Sequence, residues 1–108
     1  MQPTFLGKLT VPSAGTPVPL SSDRVVTACA ILVVSIPDMA GNIFLGGANL
    51  NQTTLAAVMI KFNAPSAAGL PDQFLLQSQD ASNSLRVADY WLDASVSGEG
   101  ALVTYFQT

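Results

Sequence analysis

The sequence predicts an all-β domain, an antiparallel β-sandwich or jelly roll of about seven to eight short strands. Three observations lead there. Short apolar runs alternate with clusters of Pro, Gly, Asn, Ser and Asp, with turn signals every 8 to 14 residues. The longest run, residues 25–36 (VVTACAILVVSI), carries no charge, and seven of its twelve residues are Val, Ile or Thr. Side chains branched at Cβ lose rotamer freedom on a helix and pack well on a pleated surface. No stretch sustains a helical period over the ten or more residues that a helix needs. A buried helix over 25–36 is the rival reading of that run alone. At 108 residues the chain fits one domain with a core of useful size. Residues 1–20 read as an N-terminal edge strand or extended arm, and 21–108 as the sandwich.

The opening segment has Pro3, Pro12, Pro17 and Pro19 with Gly7 and Gly15. Proline cannot donate to a sheet ladder, which confines it to edges, strand ends and arms. Residues 4–11 are expected to form an edge strand with Phe5, Gly7 and Leu9 on one face. A turn at 12–15 and a short extended piece at 16–20, containing Val18, follow. An arm lying on a neighbouring subunit is the alternative for the whole segment.

Ser21, Ser22 and Asp23 make a polar turn before the 25–36 strand. Alternation puts Val26, Ala28, Ala30, Leu32, Val34 and Ile36 on one face. The other carries Val25, Thr27, Cys29, Ile31, Val33 and Ser35. Both faces are largely apolar, so the strand should be central and covered on both sides. Pro37 and Asp38 stop it, and residues 42–46 form the next strand. Residues 48–54 (ANLNQTT) are a loop by composition. Residues 55–62 (LAAVMIKF) read as a strand, 63–72 as a loop, 73–78 as a strand and 80–84 as a turn.

The last quarter reads as a hairpin, 86–96 out, SGEG at 97–100, and 101–107 back. On the outgoing strand Ala88, Tyr90, Leu92, Ala94 and Val96 would face the core. Val87, Asp89, Trp91, Asp93 and Ser95 would face outward, leaving Trp91 among carboxylates, as an interface anchor would be. A register shift of one residue would make Trp91 core instead.

Apolar residues make up 49% of the chain, but charged ones only 10%, against a usual fraction of about 25%. A folded monomer of this mass exposes roughly 5,700 Å², and eleven charges cover a minor part of it. So little charge protects a free surface poorly against association, which points to a life inside an assembly. Four basic residues and a net charge of −3 disfavour nucleic acid as partner. The start, MQPTFLGKLT, does not follow a signal-peptide pattern, and the longest apolar run is shorter than the ~20 residues of a membrane helix, so no membrane role is expected. The one cysteine, Cys29, sits in the apolar run and reads as a buried, inert thiol.

Catalysis finds few footholds. There is no histidine to act as base or zinc ligand. On one strand face Asp89 and Asp93 would lie about 13 Å apart, beyond the separation used by paired glycosidase carboxylates, so they are expected to be solvated. DASNS at 80–84 offers one carboxylate for calcium, and Gly46-Gly47 lacks the lysine and helix of a phosphate loop. No catalytic, cofactor-binding or metal-ligating residue is expected, and no cofactor.

Two stretches carry a family resemblance: Gly41-Asn42-Ile43-Phe44-Leu45-Gly46-Gly47-Ala48-Asn49-Leu50, and Asp89-Tyr90-Trp91-Leu92-Asp93-Ala94 followed by 98–105 (GEGALVTY). With Gly15, Thr16 and Leu20 they cover about half of the chain, and together they resemble small all-β structural proteins of tailed bacteriophages, most of all capsid decoration (cement) proteins. The chain departs from that pattern in its longer Pro-rich entry and in Trp91, where Tyr is more usual. The resemblance implies a non-enzymatic protein that binds the capsid exterior, as a homotrimer against the major capsid protein, and stabilises the shell. It implies a place on the virion surface, after synthesis in the bacterial cytoplasm. Another virion β-module (head-fibre base, tail decoration or receptor-binding module) is the alternative. The residues expected at an interface are Phe5, Leu9, Val18, Tyr90, Trp91, Tyr105 and Phe106.

Overall fold

The computed structural model describes residues 2–36, 40–63, 73–80 and 82–108. The fold is all-β and antiparallel, with ten short strands among the described residues. They are β1 (Gln2–Thr10), β2 (Val18–Pro19), β3 (Thr27–Ala28), β4 (Ala30–Ser35), β5 (Ile43–Gly46), β6 (Val58–Phe62), β7 (Gln73–Gln77), β8 (Leu85–Arg86), β9 (Trp91–Ala94) and β10 (Gly100–Gln107). A 3₁₀ turn at Val87–Asp89 separates β8 from β9.

The pairing follows one rule. β1 pairs with β10, β2 with β9, β3 with β8, β4 with β7 and β5 with β6. The chain is thus one long folded-back ribbon with the 47–57 loop at its tip. Two further pairings, β10 with β4 and β5 with β9, roll that ribbon up. The result is two four-stranded sheets, ordered β1-β10-β4-β7 and β2-β9-β5-β6, with β3-β8 as a small third. Nested strand pairs rolled into two facing sheets make a jelly roll.

The core lies between the two large sheets. Ile31, Val33, Ala101 and Val103 come from one side, and Ile43, Leu45, Phe62, Leu92 and Ala94 from the other. Val11, Leu20, Ala28 and Val87 close it. The alternation expected of 25–36 holds over β4, where Ile31, Val33 and Ser35 are buried and Leu32 and Val34 are half-exposed. The accessible surface of 5825 Å² is close to the value that size alone dictates.

Four expectations need correction. The 25–36 run is not one strand: the chain breaks at Cys29 between β3 and β4 and leaves Val25 82% exposed. Cys29 is buried there as expected, and it ties three segments. Its N–H and its thiol both donate to the Phe106 carbonyl, at 2.8 and 3.3 Å, and its own carbonyl accepts from Ser78 N. Next, Phe5 and Leu9 do not share a face. A bulge at Leu6 shifts the register, so that Phe5 faces Thr104 while Leu9 faces Ala101. An extra residue in one strand reverses every later side chain.

The last quarter is not a hairpin. β9 belongs to one sheet and β10 to the other, and 97–100 crosses between them. That crossing is tied to the first strand's end: Val11 N donates to Glu99 O, and Gly98 N to Val11 O, each at 2.8 Å. The 86–96 strand is likewise interrupted, since the 3₁₀ turn buries both Val87 and Ala88. Over β9 the expected register holds, with Leu92 and Ala94 in the core and Trp91 half-buried on the far side. Strands 55–62 and 73–78 are present as β6 and β7; Leu55 and Ala57 lie before β6 with φ of 63° and 58°. The expected loop at 63–72 and the stop at Pro37 and Asp38 lie largely outside the described residues.

Candidate functional site, an open apolar sheet face

The two large sheets treat their outer faces differently. The β9–β5 centre of the β2-β9-β5-β6 outer face is covered by the chain itself, while Met59 and Lys61 on its β6 edge are exposed. At that centre Asp93 is 1% exposed, and its carboxylate accepts from Gly15 N (3.0 Å), Gln52 Nε2 (3.1 Å) and Ala94 N (2.8 Å). Phe44, opposite Asp93 on the neighbouring strand, is buried, with Lys61 Nζ 5.9 Å from its ring centre. The expectation of solvated carboxylates therefore fails for Asp93. Glu99 is held in the same way, its two oxygens accepting from Gly41 N and Ala40 N at 2.9 and 2.7 Å. Both are structural anchors that bind loops distant in sequence. Asp89 alone is exposed, and it stands in the 3₁₀ turn rather than on a strand with Asp93.

Among the described residues none covers the outer face of β1-β10-β4-β7. Register places its side chains in three rows across the sheet. The first is Phe5, Thr104, Leu32, Leu75; the second is Lys8, Leu102, Val34, Gln73; the third is Pro3, Phe106, Ala30, Gln77. Phe5 is 77% exposed, Leu75 47% and Leu102 43%, while Leu32, Val34 and Phe106 are half-buried. Lys8 is the one charged residue on these four strands, and it sits on the edge strand. A hollow of about 430 Å³ opens on the β4–β7 half of the face, lined by Ala30, Leu32, Gln73, Leu75, Gln77 and Phe106. Its cause is the small Ala30 between the larger Phe106 and Gln77 in their row.

The residues expected at an interface are thereby divided. Phe5 and Phe106 come together on the open face. Leu9, Val18, Tyr90 and Tyr105 pack against the core, and Trp91 lies on the opposite sheet beside Pro19 and Gly46. Burial, helped by the charge of Asp89, raises the Tyr90 phenol above its ordinary pKa. The Ser82 hydroxyl and backbone N–H lower the carboxyl of Asp80.

The aliphatic members Leu32, Val34, Leu75 and Leu102 are not among the residues expected at an interface. For Leu32 and Val34 the signal is present in the two-sided apolar pattern of residues 25–36, which calls for a cover on each face. In the described residues no group of three His, Cys, Asp or Glu is placed to hold a metal ion. No family model, curated protein or solved structure matches the chain.

Proposed function

We propose that this chain is a non-enzymatic structural protein of a tailed-bacteriophage virion, a decoration protein that binds the capsid exterior and stabilises the shell. The observation that supports it is the open, nearly uncharged face of the β1-β10-β4-β7 sheet. A contiguous apolar face with its charge confined to the edge costs little to desolvate and suits burial against protein. Jelly rolls serve viral capsid proteins, lectins and cupins alike, so the architecture is in keeping with this role without selecting it. Repetition of a modest contact over a shell would give strong retention through avidity.

The test is co-sedimentation of the purified protein with empty shells of its phage. Saturable binding that raises the shells' melting temperature supports the reading. Protein that stays in the supernatant at every ratio sinks it.

A further inference from the structure

We infer that the open sheet face is occupied by a second copy of this chain, packed face to face about a two-fold axis that runs along the strands between β10 and β4. The inference rests on the reading of that face as a protein-binding one, and it names the partner.

Three observations converge. The first is complementarity of shape. Such an axis exchanges β1 with β7 and β10 with β4, and it keeps each row opposite itself. Phe106 then meets Ala30 of the second copy, and Phe5 meets Leu75, both at the 430 Å³ hollow. Leu102 meets Val34 in the outer row that also holds Lys8 and Gln73. The bulky Phe106 thus stands over the small Ala30, Phe5 and Leu75 meet as two exposed apolar side chains, and each contact is made twice. That reciprocity is what an isologous interface requires.

The second is charge. In the same arrangement Lys8 meets Gln73, whose amide oxygen can accept from the ammonium, and no charge on the face meets its own kind.

The third is area. The eight residues of β10 span about 27 Å and four strands about 19 Å, so the face measures roughly 500 Å². Two such faces bury about 1,000 Å², the lower bound of a specific interface. Aligned packing of twisted sheets, at about 30° and ~10 Å, is an established geometry for apolar sheet faces. The dimer, rather than the single chain or a trimer, is then the unit that meets a shell, through surfaces other than this face, and the face bears on the decoration reading only by marking the chain as one that assembles.

Sedimentation equilibrium of the full chain tests this. A dimer is expected at micromolar concentrations, with Phe5→Ala and Leu75→Glu each raising its dissociation constant by roughly 30-fold or more. Val25→Glu, at an exposed site off this face, leaves it unchanged. Far-ultraviolet dichroism checks that each variant is folded. As a second measurement, F5C and L75C variants are mixed and treated with a bismaleimide whose spacer matches the ~10 Å between packed sheets. Cross-linked dimer is expected in the mixture and not in either variant alone. A monomer, a three-fold species or cross-linking independent of the mixture overturns the inference. Loss of dimer with retained shell binding would leave the decoration reading standing, and a dimer indifferent to shells would remove that reading alone.

Discussion

The backbone N–H of Gly15 donates to Asp93 Oδ1 at 3.0 Å, across 78 residues of sequence. The second oxygen of the same carboxylate takes Nε2 of Gln52, which also reaches the Ala94 carbonyl. One buried acid thus staples two loops onto the outer face of β9. Three donors converge on it, so the loops can lie there without leaving a polar group unpaired.

Removing that acid should be costly. Asp93→Ala strands three donors at a nearly buried site and is expected to destabilise the fold by about 3 kcal/mol. Asp93→Asn keeps the shape and part of the bonding, and is expected to cost about half as much. Urea denaturation at neutral pH measures both, and equal stabilities would remove the stapling role.

Gly100 and Gly7 make a matched pair. A Cβ at Gly100 would run into the carbonyl oxygen of Leu9, so Gly100→Ala must push β1 off β10 and should cost about 3 kcal/mol. Gly7 has φ of +73° but open space around it, so Gly7→Ala carries only the left-handed backbone penalty of about 1–2 kcal/mol. Amide hydrogen exchange separates the two: protection at the Thr10 end of the ladder falls in the first variant and stays in the second.

Two leucines, one on the inner face of one sheet and one on the outer face of the other, should behave oppositely. Leu45→Ala empties a fully buried site and is expected to cost about 2–5 kcal/mol. Leu75→Ala, on the open face, should alter the stability of the dilute protein by less than about 1 kcal/mol. Thermal unfolding at low protein concentration reads the contrast.

Tyr90 sets an alkaline dependence. Its folded-state pKa is raised, by burial first and by Asp89 second, so the neutral phenol is the stabilising form. That contribution is complete below the ordinary tyrosine pKa of about 10 and is lost as pH rises through the folded value. Denaturation midpoints from pH 8 to 12 should therefore fall more steeply for the native protein than for Tyr90→Phe. Parallel curves would refute it.

Much of this was legible before any fold was known, and the failures share a cause. The positions of β4, β6, β7 and β10 follow from local apolar runs and turn residues. So do the sets that share a face, Ile31 with Val33 and Leu92 with Ala94, because a period of two needs no partner to be read; that the first set faces the core is seen only in the fold. The bulge at Leu6, the break at Cys29 and the 3₁₀ turn at Val87–Asp89 each interrupt that period, and only the bulge has a local mark, the in-strand Gly7 at φ +73°. Asp93 looked solvated because its partners, Gly15 and Gln52, are distant in sequence.

Local sequence was enough for a β-rich domain, its main strand positions and a surface poor in charge. Alternation and composition are local properties, and they survive in any arrangement of the strands. Only the tertiary structure decided which strands pair, through the nesting of first with last down to the tip of the ribbon. That nesting covers one outer face with loops and leaves the other open, because ladder partners are chosen by closure of the whole chain rather than by any stretch of it.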